Sequence, residues 1–83
     1  MPARPRSVLI VEDFPDAAES LAGLLKLDGH SARFARSRAE ALELAREAVP
    51  DAALIALELP DGSGYDLAVE LTAIADQVGR YSY

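Results

Sequence analysis

Carboxylates carry most of the reactive potential of this 83-residue chain. Glu12 and Asp13 stand side by side, directly after the apolar run Val8-Leu9-Ile10-Val11. Adjacent carboxylates at a strand end are hard oxygen donors of the kind that help coordinate Mg²⁺. The same pair also complements the positive end of a following helix dipole, and on its own it leaves both roles open. Glu58 and Asp61 form a second, looser acidic group after another apolar run. Gly62-Ser63-Gly64 has the glycine content of a phosphate loop but neither the P-loop lysine nor dinucleotide spacing, so it reads as a turn. His30 is the only histidine and Lys26 the only lysine, which excludes a His–His metal site. The absence of cysteine excludes disulfides, thiolate zinc sites and cysteine nucleophiles. Tyr65 reads as a residue that packs at a helix start.

The elements that must position these groups follow from local patterns. Val8 to Val11, continuously apolar, fits a strand buried on both faces of a parallel sheet. Pro15 suits a first helical turn, and the spacing of Ala17, Leu21, Leu24, Leu25 and Asp28 predicts a helix over residues 15–28 with those residues on one face. Gly29 is placed to end it in the left-handed conformation. Ser31 to Arg36 alternates and predicts a half-exposed edge strand. Ser37-Arg38-Ala39-Glu40 is a capping box that opens a second helix, with Leu42, Ala45 and Val49 facing inward and Pro50 ending it. Ala52 to Leu59 predicts a second buried strand, and Pro60 to Gly64 a mobile loop. Leu67, Leu71, Ile74 and Val78 mark one face of a third helix, which Gly79 stops.

This β-α-β-α-β-α alternation predicts an α/β fold with a parallel sheet covered on both sides. Residues 1–6 and 79–83 read as tails around a single domain spanning 7–78. The net charge of −6 argues against nucleic-acid binding, which needs a basic surface. Arg33, Arg36 and Arg38 read as solvated strand and helix ends, the alternative being a small basic patch. No apolar run approaches the ~20 residues of a membrane helix, the stretch Val8–Val11 is too short for a signal peptide, and the cytoplasm is the expected compartment.

Taken in order, several segments resemble the receiver domain of bacterial response regulators. They are Val8-Leu9-Ile10-Val11-Glu12-Asp13-Phe14-Pro15-Asp16, Leu24-Leu25-Lys26-Leu27-Asp28-Gly29-His30, Ala39-Glu40-Ala41-Leu42, Pro50-Asp51-Ala52-Ala53-Leu54-Ile55, Leu59-Pro60 and Gly64-Tyr65-Asp66-Leu67. The resemblance covers about residues 7–75. It implies a flavodoxin-like doubly wound parallel sheet, incomplete here, with strand order 2-1-3. In that family a histidine kinase phosphorylates an aspartate at the end of the third strand. Mg²⁺ is held by the strand-one acids, the acceptor aspartate and a backbone carbonyl two residues later. By resemblance Glu12 and Asp13 match the acidic pair, Glu58 supplies the carbonyl, and the acceptor position falls on Ala56. A methyl group can neither attack phosphorus nor ligate metal. The resemblance therefore implies a non-enzymatic, phosphorylation-incompetent signalling module with at most weak Mg²⁺ binding. The family's later hydroxyl and lysine have no counterpart among these residues.

Protein–protein interaction is the expected mode of action. Ala52 to Leu57 is almost wholly apolar, and bare apolar strand edges pair with other chains. The expected partners are a second copy, through the third strand or third helix, and a histidine kinase or other signalling protein. Asp16, Glu19 and Ser20 lie on the first helix, where the family docks kinases. The competing readings are an active phosphoacceptor using Glu58 or Asp61, and a small flavodoxin-like domain for a nucleotide or flavin.

Overall fold

A computed structural model describes residues 6–77. The expectations for residues 1–5 of the N-terminal tail, Val78, Gly79 and the 79–83 tail lie outside the described residues. The described chain runs β1 (Ser7–Val11), α1 (Pro15–Leu27), β2 (Ser31–Ala35), α2 (Arg38–Glu47), β3 (Ala52–Ile55), β4 (Glu58–Leu59), β5 (Gly62–Ser63) and α3 (Gly64–Gln77). The first three strands form one parallel sheet in the order β2-β1-β3, the flavodoxin-like order of the receiver fold. In register, Ile10 lies between Phe34 and Leu54, and Val11 between Ala35 and Ile55. The central strand is buried on both faces, which explains its uninterrupted apolar run. Leu9 and Val11 face α2 and α3, while Val8 and Ile10 face α1.

Local signals set several boundaries. Pro15 occupies the first turn of α1. Gly29 ends it with φ of 82°; the Gly29 N–H donates to the Lys26 carbonyl at 3.0 Å and the His30 N–H to the Leu25 carbonyl at 2.9 Å. This paired closure needs a residue that accepts positive φ without a Cβ penalty. Ser37 caps α2, its hydroxyl accepting from the Glu40 N–H at 3.2 Å.

The structure corrects three expectations. The third strand ends at Ile55 rather than Leu59, and Glu58-Leu59 pairs antiparallel with Gly62-Ser63 in a separate hairpin. The ladder stops because β1, its partner, stops at Val11. The Ala56 N–H makes the last bond, to the Val11 carbonyl at 3.0 Å. Glu58 is thus not on the same strand as Ala56. Second, α1 buries Ala18 and Ala22, with Leu21 and Leu25 half-buried, while Ala17 is exposed and Leu24 is 62% exposed. Ala18 and Ala22 pack against Val8 and Ile10, and Leu24 lies outside that contact. Third, Tyr65 is not packed at the start of α3 but 76% exposed. The buried stripe of α3 is Gly64, Leu67, Leu71 and Ala75, with Ile74 half-buried beside it.

Candidate functional site

Sites in open parallel sheets form beyond the carboxyl ends of the strands. Here that end gathers Glu12 after β1, Ala56 after β3 and the β4–β5 hairpin. Backbone bonds fix the first two. The Glu12 N–H donates to the Ala35 carbonyl and the Ala56 N–H to the Val11 carbonyl, both at 3.0 Å. Glu12 and Ala56 consequently line one open cavity of about 250 Å³, together with Val11, Leu21, Leu54 and Ile55. Glu12 is half-buried, and its Oε1 accepts from the Phe14 N–H at 3.2 Å at the entry to α1. Asp13 is exposed and does not line that cavity.

Glu58 is exposed on β4, opposite Ser63. Asp61 is exposed, as its loop composition implied, but it is held by two backbone donors. Its Oδ1 accepts from the Arg38 N–H at 2.7 Å and its Oδ2 from the Ala39 N–H at 3.0 Å, at the start of α2. Those two donors hold the Asp61 carboxyl below its ordinary value. The Arg38 guanidinium reaches α3, with Nε donating to Glu70 Oε1 at 2.6 Å and Nη2 to Oε2 at 2.8 Å. The hydrogen bond and charge of Glu70 raise the affinity of Arg38 for its proton. Sequence reasoning missed this role of Asp61, because its partners are more than 20 residues away in the chain.

Gly64 packs directly against the backbone of Ala56. Its N–H donates to the Leu57 carbonyl at 2.8 Å, and a Cβ at this position would run into the Ala56 carbonyl. Glycine here allows two backbones to touch where α3 begins.

The basic residues do not form a free patch. Arg33 is spent on the last turn of α2, donating to the Leu44 carbonyl at 2.9 Å and the Ala48 carbonyl at 2.6 Å. Arg38 is paired with Glu70, and Arg36 borders a shallow cavity with Glu12, Glu19 and Glu40. His30 lies at the far end of the sheet, its Nδ1 accepting from the Arg6 N–H at 3.0 Å. Asp16, Glu19 and Ser20 are all exposed on α1. No described helix is long and apolar enough to cross a membrane.

The donor set does not fit a tight Mg²⁺ centre. Among the described residues, no three Asp, Glu, His or Cys side chains come together as a metal-binding group. Where the resemblance places the third carboxylate, the chain offers the methyl of Ala56.

Comparison with known proteins agrees with this architecture. The family model described as the response regulator receiver domain matches residues 8–81. The polar-differentiation response regulator DivK of Brucella anthropi is 38% identical over 63 residues, covering 76% of this chain and 51% of the relative. The chain thus spans about half the length of the curated relatives it matches. A CheY-like receiver domain from Methylobacillus flagellatus superposes with a TM-score of 0.80 at 38% identity, covering 84% of this chain and 59% of that one. The non-phosphorylated HemR receiver domain from Leptospira biflexa gives 0.77 at 33% identity, covering 88% of this chain and 58% of that one.

Proposed function

Starting from the premise that the chain belongs to the response regulator receiver domain family, we propose that it is a two-component signalling module that cannot be phosphorylated at position 56 and acts by binding other proteins. One observation carries this reading. Ala56 follows β3 directly, bonded to Val11 and beside Glu12, and presents a methyl where the family's chemistry needs a nucleophilic, metal-binding carboxylate. Glu12, Asp13 and the Glu58 carbonyl then form a depleted donor set, and Mg²⁺ binding is weak. Neither alternative acceptor is placed to replace the nucleophile: Asp61 is committed to α2, and Glu58 stands on the hairpin rather than on β3.

Mg²⁺ titration followed through the amide resonances of Glu12 and Asp13 tests the assignment of position 56. Ala56→Asp should tighten binding by ~10-fold or more, since even changes outside the ligand shell move metal affinity on that scale. Equal affinity in the two proteins would show that Ala56 does not occupy the ligand position.

Two surfaces support the interaction role. Asp16, Glu19 and Ser20 are free on α1 for a histidine kinase or similar partner, and alanine substitutions there should weaken capture of that partner in a pull-down. The second surface is the outer edge of β3. At the other edge of the sheet, the Arg33 side chain of β2 packs over the end of α2. β3 carries Ala52, Ala53, Leu54 and Ile55, with no charge and no proline to discourage strand pairing. A homodimer formed by antiparallel pairing of β3 satisfies that edge. Because the chain lacks cysteine, single Ala53→Cys or Leu54→Cys proteins should cross-link on oxidation, whereas efficient cross-linking only of Val69→Cys would move the contact to α3.

A further inference from the structure

Three elements meet at the start of α2, and Arg38 makes most of the contacts that join them. Its N–H and that of Ala39 are held by Asp61, from the turn between β4 and β5, at 2.7 and 3.0 Å. Its guanidinium is held by Glu70 of α3 in a two-point pair at 2.6 and 2.8 Å. Its aliphatic stem lies against Gly62, where a Cβ would stand 3.1 Å from Cδ. Ser37 already supplies the local cap, through Glu40. The Asp61 contact is therefore a second cap on the same helix, delivered from elsewhere in the chain. A local cap such as Ser37 stays with its helix, whereas this one is present only while the hairpin is in place.

The hairpin is also the segment that leaves the site. It begins two residues after Ala56 and ends where the Gly64 N–H closes on the Leu57 carbonyl at 2.8 Å. We propose that Asp61, Arg38 and Glu70 form a polar clamp that fixes residues 57–64 against α2 and α3, so that the backbone leaving Ala56 keeps one arrangement irrespective of what binds at that position. Position of the hairpin and integrity of the first turn of α2 are then coupled. Displacing residues 57–64 frees the Arg38 and Ala39 donors, and fraying that first turn releases the hairpin.

Residue-resolved amide hydrogen exchange on the full chain tests the clamp, comparing the wild type with Asp61→Ala, Asp61→Asn and Glu70→Gln. In Asp61→Ala, exchange at Arg38, Ala39 and Gly64 should accelerate roughly fivefold or more, the scale of a lost helix cap, while Leu9 and Ile10 in the central strand keep their wild-type rates. Asp61→Asn retains one acceptor oxygen and should fall between the two. Glu70→Gln should accelerate Gly64 by a smaller factor through Arg38. Unchanged exchange at Gly64 in Asp61→Ala would overturn the coupling. Equal acceleration at Leu9 and Ile10 would also overturn it, by showing a uniform loss of stability instead of a local clamp.

Discussion

The two faces of the sheet are built differently. On one, α2 and α3 cover Leu9 and Val11, and nine residues are buried in a continuous cluster that includes Leu42, Leu67 and Leu71. On the other, α1 alone covers Val8 and Ile10, and the cluster has four members, two of them alanines. The polar fastenings follow the same division. Arg33 grips the end of α2, Asp61 caps its start, and Arg38 ties it to Glu70. Leu24, Leu27 and Leu54 are 62, 83 and 41% exposed, and by register Leu54 shares the α1 face with Ile10. The α2–α3 side is the more deeply buried and the more strongly fastened, although Tyr65 and Val69 remain exposed on the outer side of α3, while the α1 side has a thin core and exposes Leu24, Leu27 and Leu54 beside the acids of α1.

Identical chemistry on the two faces makes the sharpest test of this contrast. Leu67→Ala removes a fully buried side chain and should lower unfolding free energy by about 2–5 kcal/mol in denaturant titration. Leu24→Ala should cost no more than about 0.5 kcal/mol. Comparable losses would erase the distinction between the faces. Gly64→Ala, which drives a Cβ into the Ala56 carbonyl, should cost about 1–3 kcal/mol as the start of α3 shifts. A neutral result would mean that the close approach is not needed.

The smallest expected effect is a dependence on pH. Asp61 binds its proton less readily when folded, because it accepts from the Arg38 and Ala39 amides. The unfolded state therefore holds that proton at higher pH than the folded state. Its stabilising contribution is complete above the ordinary carboxylate value and is lost as pH falls through the lowered one. The other charged groups near the clamp are Glu58 on the hairpin, Arg38 and Glu40 on α2, and Asp66 and Glu70 on α3. Acid titration of wild type against Asp61→Asn should show a shallower loss in the variant. Parallel curves would assign the acid sensitivity to the other carboxylates.

Legibility in the sequence followed the range of the interaction. The helix starts at Pro15 and Ser37 and the closure at Gly29 are local, and their residues announce them. Strand order and the pairing of Glu12 with position 56 came through family resemblance. The end of β3 was hidden, because Ala56 and Leu57 continue its apolar run while the true limit lies in another strand, at Val11. The face of α1 was misjudged for a related reason. Hydrophobicity ranks Leu24 above Ala18 and Ala22, but close packing on the sheet favours the small residues. Asp61 looked like an ordinary loop acid because its donors are supplied by α2, an element distant in sequence.

The most direct test of the central claim is intact-mass spectrometry of the 83-residue chain after incubation with a small-molecule phosphodonor and Mg²⁺. A chain with Ala56 at the acceptor position, Asp61 engaged by α2 and Glu58 on the hairpin should emerge with its mass unchanged. A phosphoryl adduct formed in stoichiometric yield and mapping to Glu58 or Asp61 would contradict the account and restore the chain as an active phosphoacceptor.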